Sequence, residues 1–391
     1  MISKQQIIIL LFAGFGLFQS CVEPIEFETE EYEDILAIRA TITDEVETQK
    51  VFLSRTFPFG EDGPAPESDA TVWITDGAGN EFEFRETENG EYHSLNQFRA
   101  QPETDYQLQI STANGVSYNS EPTQLTSSSP IDNVEAQRLT VNGRDGIAIE
   151  VDNYNTESAS QFYLYEYEET YKIVSRYSSD YDLISENGQL QVIPKTREER
   201  VCYNTLNSTN YILANTSNLS ENNLENFLVK FVETANPKLS QRYSLLVRQI
   251  AISRDAHYYY NALERLSGSD NLFSQNQPGF VEGNIIAENP DLKVLGYFNV
   301  SSVSTKRIFF GYYDFYEVGE DPRPYFSEDC NPATPSTLPD EIGSLIALVQ
   351  IDYVKLLRTT SLASMAYEVV ETECMDCNVW GTNVKPEFWE E

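Results

Sequence analysis

The chain has 391 residues and a formal net charge of −36 at pH 7, and 40% of its residues are hydrophobic. That length and hydrophobic content suggest two domains with real cores. The charge excludes nucleic acid as a partner and direct attraction to anionic lipid, because both require a basic face. It suits solubility and the selection of cationic partners or ions. The 24 tyrosines and 21 phenylalanines, against 3 methionines, indicate mainly β structure.

The amino-terminal stretch has the layout of a secretory signal. Lys4 precedes an apolar run from Ile7 to Phe18, about twelve residues, whereas a membrane span needs roughly 20. The sequence LFQSC, ending at Cys21, then resembles a bacterial lipobox, in which a leucine and small residues precede the lipidated cysteine. We therefore predict a signal peptide over 1–20 and lipidation of Cys21. The alternative is an ordinary secretory signal with an incidental cysteine.

Residues 21–34 have the composition of an acidic tether. From Val22 to Asp34 the chain carries six glutamates, one aspartate and no basic residue. Such a segment cannot bury enough apolar surface to fold alone. No second apolar run approaches spanning length, so the acyl chains on Cys21 would be the only membrane anchor.

Short alternating strands begin at Ile35 and are separated by turn residues. The predicted strands cover 35–43, 50–56, 70–76, 81–86, 105–112 and 116–120. Asn114-Gly115, between the last two, supplies the positive φ that tight hairpin turns require. Since no helical pattern interrupts these strands, we predict an Ig-like or transthyretin-like β-sandwich over 35–125. A serine-rich stretch, TSSSP (126–130), then serves as a linker.

The region 131–391 is predicted to be a second, larger β-rich domain with one inserted helix. The predicted strands and hairpins cover 134–152, 160–177, 243–253, 279–286, 293–302 and 305–315, and Asn142-Gly143 is the predicted turn of the first hairpin. Apolar residues at helical spacing predict the helix near 254–266, with Ser253 as its N-cap. The segment 342–357 fits either a helix or a strand.

Four cysteines remain after Cys21, and an even number in an exported chain indicates disulfides. The candidates are Cys202, Cys330, Cys374 and Cys377, and the sequence leaves all three connectivities open. The C-x-x-C pair could also serve redox chemistry or bind zinc. Acidic neighbours disfavour a reactive thiolate, and the chain has only two histidines to add as metal ligands. We therefore favour two structural disulfides.

One strand offers a candidate ligand surface. Tyr163, Tyr165 and Tyr167 alternate onto one face, where tyrosines can grip peptides or sugars. The alternative is cross-strand packing inside a sheet.

No constellation of residues predicts catalysis. The two histidines, His93 and His257, are interpreted as packed or surface residues. The acidic stretch 180–188 misses the EF-hand pattern and is interpreted as a solvated turn, with calcium binding as the alternative. We predict no catalytic residue, no cofactor and no metal.

Three groups of residues, in order along the chain, carry a resemblance to a known family. They are ILAIRATITDEVETQKVFLSRTFPF (35–59) with ATVWITDGAGNEFEF (70–84), LLVRQIAISRDAHYYYNALERLS (245–267) with the stretch 277–310, and CMDCNVWGTNVKPEFW (374–389). In these stretches the chain resembles the Bacteroidota lipoprotein family called domain of unknown function 4249. The acidic run after Cys21 also resembles the surface-export signal of such lipoproteins. The resemblance implies an accessory of TonB-dependent transporters and implies no catalytic residue.

Together these observations predict a lipid-anchored, surface-exposed outer-membrane protein. We expect a non-enzymatic accessory or substrate-binding subunit of a nutrient-uptake or outer-membrane complex. The expected partner is an integral outer-membrane barrel of the TonB-dependent transporter type. The alternatives are a surface adhesin and a hydrolase of extracellular polymer.

Overall fold

The computed structural model describes residues 33–57, 63–154, 160–219, 223–267, 280–319 and 322–391. The signal peptide predicted over 1–20, Cys21 and nearly all of the tether lie outside these residues. The fold is mainly β, as predicted. Among the described residues there are two α-helices, α1 (Arg254–Ser267) and α2 (Ile342–Gln350), and neither is long and apolar enough to cross a membrane.

One sheet of eleven strands, here called the rolled sheet, forms the first unit. Its strands are β1 (Leu36–Thr43), β2 (Lys50–Arg55), β3 (Ala65–Pro66), β4 (Thr71–Asp76), β5 (Glu81–Glu88), β6 (Glu91–Ser94), β7 (Asp105–Ser111), β8 (Ser117–Ser120), β9 (Thr123–Gln124), β19 (Ile285–Ala287) and β20 (Val294–Ser301). Their order is β19-β8-β7-β4-β5-β6-β2-β1-β20, with β3 beside β2 and β9 beside β7. All pairs are antiparallel except β1 with β20, which run parallel.

The two ends of this sheet meet through one side chain. Asn284, just before β19, accepts a hydrogen bond from Phe298 N at 2.7 Å and donates to Phe298 O at 2.9 Å. Its amide thus substitutes for a neighbouring strand along β20. The predicted boundary of the first domain at residue 125 is therefore corrected, because β19 and β20 come from far beyond it and complete its sheet and core.

Two further sheets face each other and form the second unit, here called the sandwich. The smaller sheet contains β10 (Asn133–Val141), β11 (Arg144–Tyr154) and β17 (Asn223–Glu233). The larger sheet contains β12 (Phe162–Val174), β15 (Val201–Asn207), β16 (Ile212–Asn215), β18 (Arg242–Ala251) and β21 (Val303–Gly311). Asn142 and Gly143 have positive φ at the β10–β11 turn, as their sequence predicts. The shared core is exemplified by Tyr165 of β12, which stacks on Phe227 of β17 at 5.2 Å.

Helix α1 begins where the sequence predicts and joins the two units. Ser253 Oγ accepts a hydrogen bond from Ala256 N at 3.0 Å, which is the expected N-cap contact. The apolar face of α1 covers the outer side of β12 and β18. Tyr260 also accepts a hydrogen bond from Asn299 of β20 at 2.6 Å, so the helix holds the rolled sheet against the sandwich.

A small lobe completes the molecule. It comprises the hairpins β13 (Tyr181–Glu186) with β14 (Gln189–Pro194) and β22 (Val354–Thr359) with β23 (Tyr367–Glu371), together with α2. Within the described ranges, 3₁₀ turns cover Pro237–Leu239, Tyr312–Asp314, Thr372–Cys374 and Cys377–Val379. The segment 342–357 is helix first and strand second, because Asp352 takes a positive φ of 54° between them.

Candidate functional site

The tyrosine row proposed as a ligand surface is buried in the sandwich. Tyr163 and Tyr165 are 1% and 0% exposed, and Tyr167 packs against the same core. Tyr165 donates its hydroxyl hydrogen to Gln249 Oε1 at 2.6 Å, and Tyr163 donates to Ser160 O at 2.8 Å. Burial raises the pKa of Tyr165 far above its usual value, so it stays a neutral donor. The ligand-surface interpretation is corrected, because the facing sheet covers this row.

The two histidines lie in unrelated places. His257, 6% exposed, packs against Phe162 with ring centroids 5.2 Å apart, and burial lowers its pKa. His93, on β6, contacts Glu91 Oε1 through Nε2 at 2.6 Å. Neither contacts a serine or cysteine nucleophile among the described residues. Histidine-assisted acyl transfer therefore has no assembled site in the described structure.

The four cysteines form two buried disulfides, Cys202–Cys377 and Cys330–Cys374. The sequence left the connectivity open, and the fold selects this one. The first bridge joins β15 of the sandwich to the carboxyl-terminal segment, and the second joins the loop before α2 to the same segment. The C-x-x-C pair is thus divided between two bridges.

The acidic stretch 180–188 forms the first strand and the turn of the β13–β14 hairpin, with Asn187-Gly188 at the turn. Its Asp182 contacts Arg197 Nη1 at 3.0 Å and Lys195 Nζ at 3.7 Å. This carboxylate is therefore occupied by cations of the protein itself. No group of three or more metal-ligating side chains occurs among the residues that the structure describes.

Asp182 belongs to a buried ion network that holds the small lobe. At its centre Glu199, 3% exposed, accepts from Lys195, Arg197 and Lys355 at 2.5–3.2 Å. Lys355 also contacts the carboxylates of Asp352 and Asp376. Burial alone would raise the pKa of Glu199, but the hydrogen bonds from its three cations outweigh burial and lower the pKa to about 2. The network is a structural one, since each central charge is satisfied within it.

A cleft of about 590 Å³, lined by both polar and apolar groups, lies where the rolled sheet meets the sandwich. Its walls are the loop 99–103, the linker 124–128, Asp44 and Ser302. Thr126 Oγ1 donates to Ala251 O of the sandwich and accepts from Ser302 N, both at 2.9 Å. Asp44 accepts from Val303 N at 2.9 Å. Thr126 N also donates to Val300 O of β20 at 3.2 Å, so the linker is bonded to both units.

The cleft offers recognition chemistry. Arg99 is the single cation of the described lining, it is exposed, and no described acid pairs with it. The exposed Gln101 and Glu103 lie beside it. Ligand sites commonly occur at such junctions between units, and a polar ligand of a few hundred Å³ fits this lining. Sequence reasoning missed the cleft because it interpreted 126–130 as a plain linker; the run of hydroxyl residues between two β regions was the available signal.

Comparison with known proteins returned one family. A family model described as Domain of unknown function (DUF4249) matches residues 22–307 of this chain. No curated protein matches this chain. The matched segment contains the whole rolled sheet and every residue that lines the junction cleft. It ends within β21, before α2 and the second hairpin of the small lobe.

Proposed function

The chain belongs to the DUF4249 family of domains of unknown function, and from that membership and the chain's own chemistry we propose that it is a surface lipoprotein of the outer membrane. In this proposal it acts without catalysis, as an accessory or substrate-binding subunit beside a TonB-dependent transporter. The membrane anchor is the lipid on Cys21.

The observation that carries this proposal is the cysteine inventory. Four of the five cysteines are paired in disulfides, which persist in oxidising compartments outside the cytosol. The fifth is Cys21, which lies where the apolar run ends and the lipobox resemblance places a lipid. Export and lipidation account for all five cysteines together.

The base of the tether indicates which side of the protein would face the membrane. Glu33 pairs with Lys293 at 2.5 Å, and Asp34 lies 3.8 Å from Arg55. Both cations belong to the rolled sheet or its loops, so the anchored end adjoins this unit. A 13-residue tether can reach roughly 45 Å when extended, enough to place the protein over a neighbouring integral protein.

The junction cleft supports the binding role. Most of its lining residues carry hydrogen-bonding side chains, and hydrogen bonds of Thr126 to Ala251 and Ser302 fix the linker that forms one wall. The net charge of −36 favours docking to a basic surface of a partner. Added salt should weaken this electrostatic attraction.

The test combines fractionation with affinity purification after crosslinking in intact cells. We expect the wild-type protein to resist a carbonate wash and to bring down a large integral outer-membrane protein at near-equal amounts. Cys21→Ala, expressed behind an ordinary cleavable secretory signal, should be soluble and lose that partner. Ser20→Ala, which keeps the cysteine and a small residue before it, is the matched control.

Each half of this experiment has its own contrary result. Membrane retention of the processed Cys21→Ala protein would remove the anchor from the proposal. Recovery of the crosslinked wild-type protein alone would remove the accessory role.

A further inference from the structure

The outer face of the rolled sheet carries a tryptophan within a row of polar side chains. The strand register places Trp73 of β4 opposite Glu83 of β5 and opposite Gln109 of β7. It places Gln109 opposite Asn119 of β8. Alternate residues of these strands fill the core: Val72, Ile74, Leu108, Ile110 and Tyr118. The row of Glu83, Trp73, Gln109 and Asn119 therefore points away from the core and stays partly or fully exposed.

The amides on this face retain unused hydrogen-bonding capacity. Gln109 Nε2 donates to Thr75 Oγ1 at 3.0 Å, whereas its Oε1 accepts no hydrogen bond from any described residue. Because Oε1 is shielded in this rotamer, the amide has to turn outward before a ligand hydroxyl can donate to it.

This face runs without interruption into the junction cleft. Asp105 and Gln107 precede Gln109 on the same side of β7. Gln124, which lines the cleft, donates to Asp105 Oδ1 at 2.9 Å. Four residues of strand span about 13 Å, so an extended chain of a few monomer units can lie from the cleft to Trp73.

We propose that the track from Gln124 through Gln107 and Gln109 to Trp73 binds a neutral oligosaccharide chain. This inference rests on the binding role proposed above and names the class of its ligand. An indole face stacks on the apolar C–H face of a pyranose ring. Glutamine, asparagine and carboxylate groups accept and donate the hydrogen bonds that sugar hydroxyls need.

The charges of the track select against other polymers. Glu81, Glu83 and Asp105 are exposed along it, with Arg85 at its far edge. These carboxylates repel uronates, sulfated glycans and other anionic chains. A cationic peptide would satisfy the carboxylates but would leave the amides and the indole without a specific role.

The experiment measures binding of the full-length protein, purified in detergent, to four neutral polysaccharides: laminarin, xyloglucan, galactomannan and amylopectin. Affinity electrophoresis and calorimetry give the strength of binding. We expect at least one polysaccharide to bind, and Trp73→Ala to weaken that binding by about tenfold or more. Gln109→Ala should weaken it less, and Trp73→Phe, which keeps an aromatic face, should restore most of it.

Tyr258→Ala is the matched control, since Tyr258 is 61% exposed on α1, outside the track. It should bind as the wild type does, and all variants should unfold at the same temperature. Three results would overturn the proposal: no binding to any of the four polysaccharides, equal binding by Trp73→Ala, or binding only to polylysine in a salt-sensitive manner. Anchoring and partner recovery are measured separately, so loss of glycan binding with both intact removes this inference alone.

Discussion

The rolled sheet and the small lobe are both built from β-hairpins, yet they are stabilised in different ways. The rolled sheet buries nineteen apolar side chains in one cluster and contains no cysteine. The main apolar cluster of the small lobe contains five buried side chains, and the lobe borders the Glu199 ion network and both disulfides. Isolated two-stranded hairpins are at best marginally stable in water.

This difference shows how core size determines what else a unit needs. A cluster of five side chains supplies too little hydrophobic stabilisation for its chain entropy, as in small scaffolds that depend on disulfides. Covalent links and satisfied charges then provide the remainder. The rolled sheet needs no disulfide, because each strand pairs with its neighbours and the two ends of the sheet meet at Asn284.

Removing the covalent links should produce the largest effect, and it should be confined to one region. The bridges close loops of 44 and 175 residues, for which the chain-entropy model gives about 4 and 5 kcal/mol. Reduction with dithiothreitol should therefore accelerate hydrogen exchange strongly in β13, β14, β22 and β23. Exchange in β1–β8 serves as the internal control. Equal acceleration in both regions would show that the disulfides do not stabilise the small lobe selectively.

Acid should loosen the small lobe next. The folded pKa of Glu199, about 2, lies below its ordinary value of 4.5. The stabilisation is therefore complete above about pH 4.5 and is lost as the pH falls toward 2, amounting to about 3 kcal/mol. Hydrogen exchange measured between pH 5 and 2.5 should show that the free energy of local opening of the lobe falls as the pH falls. The Glu199→Gln variant should be less stable at pH 7, and its stability should depend less on pH. An unchanged dependence of stability on pH would show that Glu199 is not the titrating group.

Removing the side chain that joins the two ends of the rolled sheet should destabilise that unit by a smaller amount. Asn284→Ala leaves the buried N–H and C=O of Phe298 without their partner, which should cost about 2 kcal/mol. Denaturant unfolding measures the loss, with the exposed Asn289→Ala as control. Equal stability of the two variants would show that the sheet ends do not depend on this side chain.

Local signals in the sequence predicted local structure well. The Asn142-Gly143 turn, the N-cap at Ser253 and the helix that follows it lie where the sequence predicts them. Each depends on a few neighbouring residues, whose φ preferences or side-chain hydrogen bonds act within one turn.

Contacts between segments that are distant in sequence could not be predicted in the same way. Alternation correctly placed Tyr163 and Tyr165 on one face, but whether that face is covered depends on β11 and β17, which are encoded elsewhere. The parallel pairing of β1 with β20 leaves no mark in either strand's own sequence. The junction cleft likewise arises only when the linker bonds to both units, so its residues had no distinguishing pattern beyond their hydroxyl groups.

The long sequence separation between β1 and β20 also affects folding during synthesis. β1 ends at residue 43 and its parallel partner begins at residue 294, a gap of 250 intervening residues. At roughly 5–20 residues per second, β1 waits between about 12 and 50 seconds for its partner. During that interval one edge of β1 has unpaired backbone groups, and the core lacks Phe298 and Val300. The growing chain must therefore be protected from aggregation by other means until about three-quarters of it exists.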